Sequence, residues 1–476
     1  MTRYMAIVES FTESIRHGVL RPGDPLPSVR KAAEQLKVSK GTVVQAYSVL
    51  EAHYLIEARP QSGFYVRAHA PGATRLPSAG LTRPTVVRSD TPDRMRTTLG
   101  DLVGARITSL GSSFVNPSLF PIQSLNQALR ASSRQNDYSR TLVDLQLGLP
   151  ALRRAIAQRY LKLGYAVPMD EIIITCGGME AISLSLQAVT RPGDLVLIDS
   201  PMFFSGLQLL KQLGLGALEM PTDPESGLDL DLLDETLSNH QVAACLLMPT
   251  CQNPLGFSMP ESKKRQLVDV LRRHGVPLVE NDVYAELQFD QQKTRAAKAF
   301  DTEGMVLHCG SFTKCLAPGF KIGWVAAGRH REAIANRKFA TTLGTSIPPQ
   351  AAIAHYLLHH AYDRHLRSLR QFLQARVHQM THALSSYFPA GTSISRPQGG
   401  HVLWVEMPSE VDSFKLFELA ASHDIGIAPG PIFSAHQQYT NYIRLNCSHP
   451  WSDSLDKTLQ WLGRTVSQMS KGKTPS

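Results

Sequence analysis

The chain has 476 residues, 43% of them hydrophobic and 19% charged, with a formal net charge of +9. That composition fits a globular protein of two or more domains with a sizeable core, and no run approaches the roughly 20 apolar residues that span a bilayer. The six cysteines are scattered without a CxxC pair, which speaks against a zinc cluster. The start "MTRYMAIVES" has no signal-peptide core, so reduced thiols in a cytoplasmic protein are expected.

The positive charge is unevenly spread. Residues 1–100 hold 14 Lys+Arg against 8 Asp+Glu, a net +6, and the remaining residues carry only +3. A polyanion partner for the N-terminus would explain this, and so would a plain soluble basic surface.

In chain order, three apolar stripes at helical spacing come first. They are Tyr4, Ile7, Val8, Phe11 and Ile15; then Val29, Ala32, Ala33 and Leu36; then Val43, Ala46, Tyr47 and Leu50. Ser28 and Ser39 stand where N-caps would open the second and third helices, and "KVSK" leaves only a tight turn between them. With its apolar residues inward, the third helix presents Lys40, Thr42 and Gln45 outward, side chains able to reach phosphates and base edges. Two β-prone runs, "LIEAR" and "GFYV", surround the turn "PQS" and predict a hairpin with Arg59 near its tip.

The string "GVLRPGDPLPSVRKAAEQLKVSKGTVVQAYSVLEAHYLIEARPQSGFYV" resembles the winged helix-turn-helix domain of GntR regulators almost end to end. The resemblance implies a double-stranded DNA operator as partner. It places Arg30, Ser39, Lys40, Thr42, Gln45, Arg59 and Gly63 on the DNA face of a domain spanning 1–68. The family often has arginine at Lys40, and lysine offers a point charge in place of a bidentate fork.

Residues 68–100 lack apolar periodicity and contain four prolines, five arginines and two acidic residues. A mobile tether over 69–104 is expected. Beyond it, short apolar runs ("EIIIT", "LVLID", "ACLLMPT", "PLVEND", "VLHCGSF") alternate with helix-like stretches, the pattern of an α/β domain with a mostly parallel sheet over 105–470. Ligands of such sheets sit at the carboxyl ends of the strands. There the sequence places "TCGGMEAI", "DSPMFF", "PTCQNPLG", "VENDVYAEL" and "GSFTKCLAPGFKIGW".

In order and spacing these motifs resemble the fold-type-I aminotransferases that use pyridoxal 5′-phosphate (PLP). Joined to the head, the chain resembles the MocR subfamily of transcription regulators. By that resemblance Lys314 would bond covalently to the PLP aldehyde, and Ser311 and Lys321 would hold the phosphate with backbone contacts from Gly178 and Met179. Lys321 stands where relatives usually have arginine. Phe203 would stack on the pyridine ring, Asn253 and Tyr284 would bond its phenolic oxygen, and Arg444 of "RLNCS" would clamp an effector carboxylate.

One position departs from the pattern. Relatives carry an aspartate three residues before the tyrosine, to pair with the pyridine nitrogen, and here that position is Asn281. Asp282 is one step out of phase and would point to the other face of a strand. The expectation is a homodimeric regulator responding to an amino acid, an amine or PLP itself, with weak or no turnover. A working aminotransferase with an accessory head is the alternative.

Overall fold

The computed structural model describes residues 3–52, 55–59, 62–66, 75–87, 108–135, 146–290 and 293–472. The head consists of α1 (Arg3–Arg16), α2 (Val29–Gln35), α3 (Lys40–Ala52) and a hairpin of β1 (Ile56–Arg59) and β2 (Gly63–Val66). Its core forms where the three stripes meet: Val43, Ala46, Tyr47 and Leu50 are fully buried, beside Ile7, Val8, Ala32 and Ala33. Tyr47 satisfies its hydroxyl on the Pro27 carbonyl at 2.8 Å and packs edge-on against Phe11 and Phe64. Such ring pairs add about 0.5–1.5 kcal/mol beyond area burial. Ser28 caps α2 by accepting from Lys31 N, and Ser39 accepts from Thr42 N at the start of α3. The hairpin register sets Arg59 opposite Gly63, whose positive φ suits only glycine without strain.

The stretch expected as a mobile tether differs in part. Within it, β3 (Thr85–Val87) pairs antiparallel with the body strand β7 (Gly216–Asp223), Ser78 bonds Glu406, and Ile394 N donates to the Arg75 carbonyl. A free edge strand offers unpaired N–H and C=O groups to any extended segment. The proline-rich stretch is extended, so its middle adds to the sheet.

The body has a mixed sheet in the order β3, β7, β6 (Leu195–Ser200), β9 (Val242–Leu247), β10 (Leu278–Asn281), β11 (Val306–Ser311), β12 (Gly323–Ala326) and β5 (Ile172–Thr175), with β8 (Gly227–Leu228) beside β7. The run from β7 to β11 is parallel, and β12 is antiparallel to both its neighbours. Helices cover both faces, which is why β5, β10 and β11 are buried along their whole length. The two-residue strand β4 (Thr108–Ser109) lies against a C-terminal lobe built on β13 (Ser393–Ile394), β14 (Val402–Glu406), β15 (Ile425–Gly426), β16 (Ala428–Pro429) and β17 (Tyr442–Asn446). That lobe packs under the helices Tyr362–Tyr387 and Asp453–Met469. No helix among the described residues is long and apolar enough to cross a membrane.

Candidate functional site

β11 ends at Ser311, and the turn beyond it carries Lys314. Burial, helped by the nearby Arg444 and Lys321 cations, pushes the Lys314 amine down to about 7. Near neutral pH a large share of it is therefore the uncharged, nucleophilic amine. Its Nζ donates to the Ser113 carbonyl at 2.7 Å and lies 5.8 Å from the Tyr284 ring.

An anion cradle lies beside it. The helix Gly178–Val189 starts without a side-chain cap, and Gly177 turns into it at a φ of 84°. A Cβ on Gly178 would meet Val283 at 2.8 Å and Ser311 at 3.4 Å, and one on Gly323 would meet the Gly177 carbonyl carbon at 2.5 Å. Glycine at both positions lets β12 and the helix start close up. Ser311 Oγ bonds Thr313 Oγ1 at 2.9 Å and faces this turn. The Lys321 backbone carbonyl approaches the same turn, and its side chain is exposed. Backbone N–H groups at a helix start, two hydroxyls and a cation suit a phosphate. Met179 belongs to the cradle through its backbone alone, since its side chain points to solvent.

β10 delivers the next group. Glu280 and Asp282 share one face: both charges act on His308 and on the buried Lys264. Asp282 Oδ2 pairs with His308 Nε2 at 2.9 Å, and His308 Nδ1 meets the Tyr160 hydroxyl at 2.8 Å. Burial opposes the imidazolium, but the hydrogen bond and charge of Asp282 raise the His308 pKa above its ordinary value. Asn281 shares the opposite face with Val279, which packs in the cluster that includes Ala181 and Ile182 of the cradle helix. Among the described residues the Asn281 Oδ1 has no partner, although the residue is 3% exposed. The period-2 alternation thus holds: Asn281 occupies the in-phase position and Asp282 is committed elsewhere.

Tyr284 is buried, which lifts its hydroxyl to about 12, and Asn253 hydrogen-bonds it. Asn253 Oδ1 also accepts from Arg444 Nη1 at 3.0 Å. Arg444 rises from β17 at 5% exposure, with its Nε unpartnered among the described residues and burial lowering its pKa. Lys314, Asn253, Tyr284 and Arg444 therefore form one cluster, joined to the Ser311 and Gly178 cradle through the Lys314 turn. Phe203 is half-buried at the end of β6, as N-cap of the helix Phe204–Gln212, and packs against Gly206.

Sequence reasoning missed Gly111, Ser112, Ser113, Phe114, His401 and Asn446. His401 is fully buried against the Tyr284 ring, and its pKa is held well below the ordinary value by burial and by the Lys314 and Arg444 cations. A histidine directly after "QGG" and before a strand was the available signal. A surface cavity of about 890 Å³ lined by Asp223, Asp229, Asp231 and Asp234 shares no residue with this cluster.

In the head, Arg30, Ser39, Lys40 and Gln45 are exposed, and Thr42 is half-buried. Arg30 pairs with Glu34 at 3.3 Å. Arg59 lies over the Tyr65 ring at 4.4 Å and pairs with Glu57 at 2.9 Å.

Residues 116–460 match the family model of aminotransferase class I and II, and residues 3–66 match that of bacterial regulatory proteins, gntR family. The chain is 41% identical over 472 residues to the HTH-type transcriptional regulator YdcR of Escherichia coli (strain K12), covering 98% of this chain and 100% of that one. The multiple substrate aminotransferase of Thermococcus profundus superposes with a TM-score of 0.73 at 26% identity, over 80% of this chain and 96% of that one. The alpha-aminoadipate aminotransferase LysN of Thermus thermophilus, complexed with N-(5'-phosphopyridoxyl)-L-leucine, superposes with a TM-score of 0.72 at 26% identity, over 80% and 96%.

Proposed function

Because the chain belongs to the MocR-type family, a gntR head joined to an aminotransferase class I and II body, we propose that it is a transcription regulator holding PLP on Lys314. The working division is a DNA-binding head at 1–68, a linker at 69–104 and a PLP-binding body at 105–470. The observation that carries the reading is the Lys314 amine, pushed down to about 7 inside a cluster of matching donors.

The donor set fits the cofactor. Gly178, Met179, Ser311 and Lys321 would hold the phosphate, Asn253 and Tyr284 the phenolic oxygen, and Phe203 would lie against the ring. When bound, PLP supplies an electrophilic aldehyde and a ring that accepts electrons. Asn281 offers the ring nitrogen an amide acceptor without charge, which weakens that electron sink, and Asp282 is already paired with His308. Arg444 and its unpartnered Nε would take the carboxylate of an amino-acid effector. An amine or PLP itself remains a candidate effector of the same site.

The head would set α3 in a major groove through Arg30, Ser39, Lys40, Thr42 and Gln45, with Arg59 and Gly63 on the wing touching the backbone. A homodimer would carry two heads to two half-sites. A working aminotransferase is favoured by the presence of both Lys314 and Arg444 and opposed by Asn281. Selection of bound DNA fragments from a random pool, with and without PLP and with a panel of amino acids, tests the regulator reading. Recovery of one palindromic sequence whose retention changes with PLP or one amino acid is the expected outcome. Recovery of no preferred sequence, with sustained turnover of an amino donor, would favour the alternative.

A further inference from the structure

The segment Leu110–Phe114 crosses the site, and each of its five backbone carbonyls is held there. The Leu110 carbonyl accepts from Asn446 N and the Gly111 carbonyl from Arg444 Nη2. Asn446 Nδ2 donates to the Ser112 and Phe114 carbonyls at 2.9 and 2.7 Å. The Ser113 carbonyl accepts from Lys314 Nζ at 2.7 Å and from His401 Nε2 at 3.1 Å, with the Tyr284 hydroxyl 3.5 Å away. The Phe114 ring lies 4.4 Å from Lys314 Nζ and 5.9 Å from Lys321 Nζ. That ring is 44% exposed although Val115 beside it is buried, so core packing does not place it.

A chain of acceptor oxygens thus sits on the donors that the proposed function assigns to a carboxylate and to the cofactor. We propose that Leu110–Phe114 is an internal pseudo-ligand: the Gly111 carbonyl occupies the carboxylate seat on Arg444, the Ser113 carbonyl and Phe114 ring occupy the seat beside Lys314, and a carboxylate-bearing effector binds by displacing this strap. The inference rests on Arg444 being the carboxylate clamp, and it deepens that reading by naming how the site is regulated. The apparent affinity for a carboxylate is the intrinsic affinity multiplied by the fraction of chains with the strap open. Each ligand oxygen replaces a backbone oxygen on the same donor, so only acceptor-rich ligands compete.

The test reads hydrogen exchange at the Asn446 amide, which donates to the Leu110 carbonyl, and at the Asn116 amide, which donates to Ser448 Oγ just past the strap. Acetate serves as the probe, titrated into the full chain with and without PLP. Two variants weaken the strap: Phe114→Ala removes the ring over the lysines, and Asn446→Asp removes the donor to two carbonyls. Asn446→Asp keeps the oxygen that Ser448 uses. Two ordinary hydrogen bonds correspond to roughly tenfold in the opening equilibrium. Acetate should speed exchange at both amides in the parent chain, and each variant should bind acetate about tenfold more tightly. Acetate binding with unchanged exchange, equal affinity in parent and variants, or no acetate binding to any of them would overturn the proposal. Failure of PLP to attach while the acetate effects persist would sink the cofactor assignment and leave the strap standing.

Discussion

The two ends of this molecule use polar side chains in opposite ways. In the head, the residues assigned to function stand on the outside: Arg30, Lys40, Gln45 and Arg59 are exposed, held by short local pairs such as Arg30 with Glu34. In the body, Asn253, Asn281, Tyr284, Ser311 and Arg444 are buried, and Lys314 is half-buried among them. A duplex is large and highly charged, so it is met by solvated cations that release counterions on contact. A small molecule is met by desolvated groups whose basicity the surroundings reset. The lesson is that burial, more than residue type, separates the two regions: Lys40 stands exposed on the head, and the Lys314 amine is enclosed by groups that lower its proton affinity.

The comparison breaks most completely by unfolding one side. Tyr47→Ala empties the centre of the head and should cost about 3–5 kcal/mol there, which exceeds what a domain this small can spare. Retention on duplex DNA at low salt should vanish while the body still binds PLP. Loss of both together would show that the two ends do not fold independently.

Next in size is the pH dependence of the body. Lys314 is held at about 7 against 10.5 for an ordinary lysine. Between those values the unfolded chain binds more protons than the native one. Stability from this group is therefore fully present above about 10.5 and lost as pH falls toward 7. Lys314→Met should remove that slope, leaving the cofactor-free variant more stable than its parent by on the order of 4 kcal/mol at neutral pH. Urea midpoints compared at neutral and strongly alkaline pH check this, and the gap should close on the alkaline side.

Asn281→Asp restores a charge at the in-phase position of β10. A rise of about tenfold in any transamination rate, equivalent to roughly 1.4 kcal/mol, is expected. An unchanged rate would mean that Asn281 does not meet the ring nitrogen. The smallest effect belongs to the head surface. Lys40→Ala should weaken DNA binding by about 1 kcal/mol and lower the salt slope by about one unit, without touching PLP binding. A steeper loss on one DNA sequence than on others would move Lys40 from backbone contact to base reading.

Much of this was legible because it is local. The caps at Ser28 and Ser39, the stripe ending at Leu50 and the Arg59–Gly63 hairpin depend on neighbours within a few residues. Asn281 and Asp282 could be told apart because strand alternation has a period of two, and Asp282 does turn toward His308. β3 was not legible: Thr85–Val87 is β-branched but only three residues long in a proline- and arginine-rich stretch, and β7, far along the chain, decides its state. The strap was not legible for a deeper reason. Backbone carbonyls are present at every residue, so "LGSSF" carries no mark of the donors that gather them. His401 and Asn446 come from a distant lobe that only the fold brings to Lys314.

The central claim is a covalent bond between the Lys314 amine and PLP. Borohydride reduction of the PLP-treated chain, followed by peptide mass mapping, tests it most directly. The account predicts a phosphopyridoxyl group on Lys314, attached more readily as pH rises through about 7 and absent from Lys314→Ala. A label spread over exposed lysines such as Lys321, or one that survives in Lys314→Ala, would contradict it.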